Sequence, residues 1–196
     1  MMRIITGKAR GVKLDTLEGL ATRPTAEKVK EAIFSMIQFE VEGRRVLDLF
    51  AGSGQLSLEA LSRGASEAVL VDASKEAAEI IRRNAVKTKL FLQTKVIVSD
   101  YKTAIRQLSG GNKFDIIFCD APYAAKLTGD AVKRVVEASL LSDIGIIVCE
   151  SDDETPFEHP SLRVRKHNRY GKTYVTIYEN ATRFYQLSCM DMIVGV

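Results

Sequence analysis

Val46-Leu47-Asp48-Leu49-Phe50-Ala51-Gly52-Ser53-Gly54 is an apolar, strand-like run that ends in an acid and turns on two glycines. It then enters the helical stretch Gln55 to Arg63, closed by Gly64. A strand feeding a helix through a glycine turn is the opening unit of a parallel α/β sheet. On either side the same alternation continues. Apolar, β-branched runs recur at Arg45 to Phe50, Ala68 to Asp72, Lys95 to Ser99, Phe114 to Cys119 and Ile144 to Glu150. Between them lie helical stretches at Ser74 to Lys87, at Tyr101 to Leu108 (closed by Gly110-Gly111) and at Leu127 to Leu141. Strands apolar on both faces and separated by helices predict a doubly wound, mostly parallel sheet covered on both sides.

The ends of the chain read differently. Arg3 to Thr6 and Val12 to Leu14, with Gly7 and Gly11 around a turn, predict a short N-terminal β-hairpin arm over residues 1–22. Pro24 and Thr25 start an amphipathic helix whose apolar face is Val29, Ala32, Ile33, Met36 and Ile37. Leu162 to Arg165 and Thr173 to Tyr178, around a turn at Asn168 to Gly171, predict an antiparallel hairpin on the sheet edge. The main domain is therefore expected over 23–180, with a tail at 181–196 whose role the pattern does not assign.

At 196 residues, 46% hydrophobic and 27% charged, the chain has the composition of one soluble domain, not of a disordered or fibrous protein. No apolar run approaches the roughly 18 residues of a membrane span, and the N-terminus lacks a signal-peptide pattern, so a cytoplasmic protein is expected. Cys119, Cys149 and Cys189 suit a reducing compartment. With two histidines and no paired cysteine spacing, no metal site is expected. The charge is uneven: residues 1–13 carry Arg3, Lys8, Arg10 and Lys13 without an acid. Residues 163–172 carry Arg163, Arg165, Lys166, Arg169 and Lys172, also without one, while the rest holds 19 basic and 25 acidic residues. Two basic strips on an acidic body are what a polyanion-binding face requires, although charged hairpin edges protected from aggregation look the same.

The glycine turn is a place for close ligand contact, because residues 52 and 54 let backbone N–H groups approach without a Cβ. A dinucleotide is disfavoured, since Ser57 stands where that fingerprint wants a third glycine. Asp48 discriminates further: a carboxylate beside the loop repels a pyrophosphate and welcomes an ammonium and a sulfonium. S-adenosylmethionine carries both. Asp72, 18 residues after Gly54, sits near the offset at which an acid accepts hydrogen bonds from ribose hydroxyls. Asp100 ends the third strand, where it could receive an adenine amine. The expected cofactor-binding set is Asp48, Phe50, Ala51, Gly52, Ser53, Gly54, Asp72, Ala73, Asp100 and Tyr101.

The fourth strand ends in Asp120-Ala121-Pro122-Tyr123, the expected catalytic segment. An exocyclic amine is a poor nucleophile because its lone pair is delocalised into the ring. If Asp120 and the Ala121 carbonyl each accept one N–H, the nitrogen can pyramidalise toward a methyl donor. Pro122 holds residue 121 extended, and Tyr123 can stack on the base.

These segments resemble a bacterial family, the S-adenosylmethionine-dependent methyltransferases that modify guanine N2 in small-subunit ribosomal RNA. The resemblance lies in Arg3-Ile4-Ile5-Thr6-Gly7 with Arg10-Gly11, in Thr22-Arg23-Pro24-Thr25, in Leu47 to Gly54 with Leu58 to Ala65, and in Asp120 to Tyr123, and it extends through Tyr170-Gly171. It implies a Rossmann-like class I methyltransferase: a seven-stranded sheet with its last strands antiparallel, S-adenosylmethionine as donor and a ribosomal RNA guanine as acceptor. Where the family usually has Asp-Pro-Pro-aromatic, this chain has Ala121, which keeps the accepting carbonyl and loses stiffness. Direct methyl transfer is expected, with Asp120 taking the proton and with Arg3, Lys8, Arg10, Arg23 and Thr25 binding the RNA. A monomer suffices. The alternatives are an amino-methyltransferase for adenine N6 or a protein amide, and a noncatalytic RNA-binding assembly protein. The presence of Asp48, Asp72, Asp100 and Asp120 together disfavours the last.

Overall fold

The structure is a computed structural model that describes residues 2–17, 24–122 and 127–181. Helices α1 (Pro24–Met36), α2 (Gln55–Ser62), α3 (Lys75–Lys87), α4 (Tyr101–Leu108) and α5 (Thr128–Glu137) surround seven strands. The strands are β1 (Arg45–Asp48), β2 (Glu67–Asp72), β3 (Thr94–Val98), β4 (Phe114–Asp120), β5 (Leu141–Ser151), β6 (Leu162–Tyr170) and β7 (Thr173–Asn180). They form one sheet in the order β3-β2-β1-β4-β5-β7-β6. β1 to β5 are parallel, and β7 pairs antiparallel with both β5 and β6. This is the expected α/β class with its antiparallel C-terminal hairpin.

The sheet separates two apolar cores. On one face Ile33, Phe34, Leu58, Leu61, Leu70 and Ile81 pack with Ile4 and Leu14 from the N-terminal hairpin. On the other, Val71, Ile105, Ile117, Val132 and Ile147 join α4 and α5 to the sheet. Because β1 feeds β2 on one side while β4 lies on the other, the strand order reverses between β1 and β4. Open α/β sheets bind ligands beyond the carboxyl ends of the strands at such a reversal.

Several boundaries depart from the sequence reading. β1 stops at Asp48, not Phe50, although Leu49 N–H still donates to the Phe118 carbonyl (3.1 Å) and Ala51 N–H to that of Val71 (2.9 Å). α5 ends at Glu137 and β5 begins at Leu141. The break is a Schellman turn: Ser139 has φ 54°, its N–H bonds to Val136, and Leu140 N–H reaches back to Val135. A serine in the position usually held by glycine hides that stop inside an apolar run. β6 runs to Tyr170, with a register shift between Val164 and Lys166 that displaces Arg165 from the ladder. Among the described residues no helix is long and apolar enough to cross a membrane.

Candidate active site

The loop after β1 is fixed from both sides. Gly54, at φ 78°, caps α2, a backbone conformation that favours glycine, and a Cβ there would press on Leu70 Cδ2 at 3.1 Å. Gly52, at φ 53°, faces open space, and its N–H donates to Asp72 Oδ2 at 2.8 Å. Ser53 is buried, with its carbonyl accepting from Asn84 Nδ2 (2.9 Å). Ala51 is buried and Phe50 half-buried.

Beneath this loop lies Asp48, 1% exposed. Oδ2 accepts from the Ser57 hydroxyl at 3.0 Å, which explains the serine in the third-glycine position, and Oδ1 has no hydrogen-bond partner. Burial pushes its carboxyl up to about 7, against the opposing pull of the Ser57 hydroxyl and the nearby Phe50 N–H. A buried acceptor without a donor is rare in folded proteins and marks a place for a ligand or water.

The acids beyond β2 and β3 are differently disposed. Asp72 accepts from Gly52 N–H through one oxygen and from Ser74 N–H, at 2.8 Å, through the other. It ties the loop to the start of α3, where Ser74 is the N-cap; Ala73 beside it is exposed. Asp100 is the N-cap of α4, accepting from Thr103 N–H at 3.0 Å, and that hydrogen bond lowers its carboxyl below the usual range. Tyr101 follows it, packed on Phe50 with ring centroids 5.2 Å apart. Its hydroxyl donates to Asp130 at 2.6 Å, and desolvation first, then that carboxylate, pushes it up to about 12.

Asp120 closes β4, in register with Glu150 on β5. Burial, then the charges of Glu150 and Asp48, raise its carboxyl well above the ordinary range. Ala121 is buried and Pro122 exposed, while Tyr123 lies outside the described residues. The edge therefore collects Asp72, Asp48 and Asp120 from three neighbouring strands, with Asp100 just beyond β3. The sequence reading misses Glu150, although it too is an acid at the end of an apolar run.

The N-terminal hairpin pairs Arg3 with Lys13 and docks on α2. Glu59, fully buried, accepts from the N–H groups of Ile5 (2.7 Å) and Thr6 (3.0 Å), and Arg63 donates to it (2.8 Å). Buried Lys30 donates to the Arg3 carbonyl at 2.6 Å. A Cβ on Gly7 would meet the Ser62 carbonyl oxygen at 1.8 Å, so the hairpin backbone lies directly on the helix. Lys8, Arg10 and Lys13 remain exposed, whereas Arg3 pairs with Glu27 at 3.2 Å. Thr25 falls in the first turn of α1, and Arg23 lies outside the described residues. Of the C-terminal strip, Arg163 pairs with Glu179 and Arg165 with Glu40.

Sheet order, glycine loop and acidic strand tips together define a class I methyltransferase fold. The chain belongs to the family described as Conserved hypothetical protein 95, whose profile matches residues 2–179. It is 36% identical over 181 residues to "Putative rRNA methyltransferase YlbH" of Bacillus subtilis, covering 91% of this chain and 98% of that one. It is 30% identical over 181 residues to "Ribosomal RNA small subunit methyltransferase D" of Haemophilus influenzae, covering 91% and 94%. The solved structure "Putative methyltransferase yhhF from Escherichia coli" superposes with a TM-score of 0.82 at 29% identity, over 91% of this chain and 97% of that one.

Proposed function

We propose that the protein transfers a methyl group from S-adenosylmethionine to the exocyclic N2 of a guanine in small-subunit ribosomal RNA, as a cytoplasmic monomer. The observation that carries this reading is the pair of acids at the strand-order reversal, Asp48 with an orphaned buried oxygen and Asp120 with a raised pKa beside the Ala121 carbonyl. The names of the relatives support ribosomal RNA as the substrate.

The residues present fit the cofactor. Asp48 Oδ1 lacks the donor that an ammonium would supply, and Gly52 leaves open space where a side chain would otherwise stand. Asp72, whose oxygens each keep a further lone pair, would accept from ribose hydroxyls, and Asp100 from the adenine amine. Phe50, Ala51, Ser53, Gly54, Ala73 and Tyr101 would complete the walls. When bound, S-adenosylmethionine supplies an electrophilic methyl on a sulfonium. Asp120 and the Ala121 carbonyl would each accept one N–H of the guanine amine, orienting its lone pair. Asp120 would then take the released proton. Burial and Glu150 make it a stronger base than an ordinary carboxylate. Pro122 keeps the carbonyl in place, and Tyr123 would stack on the base. Arg3, Lys8, Arg10, Arg23 and Thr25 would hold the RNA.

Incubating the protein and labelled cofactor with small ribosomal particles from cells lacking it, then identifying the modified nucleoside by mass spectrometry, tests this directly. N2-methylguanosine is expected. N6-methyladenosine would move the reading to adenine, and no incorporation despite cofactor binding would favour a noncatalytic assembly protein.

A further inference from the structure

Away from the strand tips, the corner where α3 turns into β3 has a composition that the proposed chemistry does not use. Residues 80–99 carry Arg82, Arg83, Lys87, Lys89 and Lys95 and no acid. All five are exposed, and the acids of α3, Glu76 and Glu79, lie in its first half. Lys87 pairs with Asp15 of the hairpin segment, whereas among the described residues Arg82, Arg83, Lys89 and Lys95 make no ion pair. Interleaved with these cations stand apolar side chains in water: Leu92 at 88% exposure, Val86 at 63% and Phe91 at 54%. A solvated charged face accounts for the lysines and arginines but not for this cluster.

The corner is tied together by hydrogen bonds. Leu90 is buried, its N–H reaches back to the Ala85 carbonyl (2.8 Å), and Lys89 N–H bonds to Val86 (3.0 Å). This Schellman turn places Lys89 at φ 59°, where glycine is the usual residue, so a cation is held in a conformation that costs its backbone energy. The Thr94 hydroxyl donates to the Leu90 carbonyl (2.8 Å), and the Gln93 amide donates to the Ala65 and Ser66 carbonyls. Phe91 and Leu92 are thus presented outward from a preformed turn. The surface is continuous with the hairpin, because Asn84 bonds to both the N–H and the carbonyl of Asp15.

We infer that this α3–β3 corner is a second RNA-binding surface: its cations grip the phosphodiester backbone and Phe91 stacks on an unpaired base. The inference rests on the RNA-modifying reading above and extends it. The RNA that enters at the strand tips also runs along the hairpin and down the β3 edge, to the opposite end of the sheet. Cations interleaved with an exposed aromatic are the recognition chemistry of single-stranded nucleic acid, and four positive charges outside any ion pair disfavour a basic ribosomal protein.

Binding of the full-length protein to small-subunit ribosomal RNA, measured against salt, tests the inference. The combined Arg82→Gln, Arg83→Gln, Lys89→Gln and Lys95→Gln variant is expected to lower the log–log salt slope by about 0.7 to 0.9 for each phosphate no longer neutralised. Phe91→Ala is expected to weaken binding about 5- to 100-fold. Lys89→Gly separates folding from binding: it relieves the left-handed residue and raises the melting temperature, yet weakens RNA binding. Cofactor affinity should be unchanged in all of them. Parental affinity and slope in these variants, with parental RNA bound and methylated, would overturn this surface alone. Failure of the parent to bind RNA, naked or in small ribosomal particles, would overturn both readings. Loss of binding to assembled particles with naked RNA unaffected would assign the corner to a ribosomal protein and overturn the RNA assignment.

Discussion

The acids on the carboxyl edge of the sheet divide into two groups. At the tips of β2 and β3, Asp72 and Asp100 are occupied by the protein's own backbone: two N–H groups on the first, the Thr103 N–H on the second. At the tips of β1 and β4, Asp48 keeps one oxygen without a partner, and burial and neighbouring carboxylates shift both Asp48 and Asp120 upward. The same residue type at equivalent places meets different surroundings: Asp100 caps α4, and Asp72 is taken up by Ser74 N–H at the cap of α3 and by Gly52 N–H. β1 is followed instead by the glycine loop, and β4 by Ala121-Pro122. On the proposed function, the outer acids would shape the site and the inner pair would receive the cationic and N–H-bearing groups of the ligands.

The sharpest way to break this contrast is Asp120→Ala. It should lower the methylation rate by about 10²- to 10⁴-fold while calorimetric cofactor binding persists; a rate within a few-fold of the parent would remove the inner acid from the chemistry. Asp48→Asn should show up next, in stability. The folded carboxyl titrates at about 7 while the unfolded one titrates near 4, so its stabilising contribution is complete below pH ~4 and lost as the pH rises through about 7. The asparagine variant should melt near the parent in acid and above it at pH 8, by on the order of a few kcal/mol, with weaker cofactor binding. Equal melting at pH 8 would mean that the buried oxygen is already satisfied. Asp72→Ala frees two backbone N–H groups, each worth ~1 kcal/mol, and should loosen both the loop and cofactor affinity. The smallest effect is expected from Asp100→Ala: a slightly lower melting temperature and a modest rise in the KM for cofactor, with kcat retained. A collapse of kcat there would erase the distinction between inner and outer acids.

Much of this edge can be read from the chain. Alternating apolar runs and helical stretches dictate a parallel sheet, and an acid closing each run must then fall on one edge, which is how Asp48, Asp72, Asp100 and Asp120 are found together. What the pattern does not carry is which oxygens are already bonded. Capping of α4 by Asp100 depends on where Thr103 N–H points, and the burial of Asp48 depends on Ser57 closing over it. The docking of the hairpin is hidden for a similar reason. Glu59 and Lys30 look like solvent-facing helix residues, yet Glu59 is buried as the acceptor for Ile5 and Thr6, and Lys30 fills the space beside it. β6 reads short because its polar alternation, Arg165 to Arg169, lacks apolar markers, and α5 reads long because Ser139 takes a glycine's conformation.

Titration calorimetry of S-adenosylmethionine into the parent and into Asp48→Asn, between about pH 5.5 and 7 and in two buffers of different ionisation enthalpy, addresses the inner acids most directly. If the orphaned oxygen of Asp48 receives the cofactor's ammonium, the parent should bind more tightly as the pH rises and release a proton on binding, and the asparagine variant should do neither. Flat affinity without proton release in the parent, or the same pH dependence in both proteins, would contradict it.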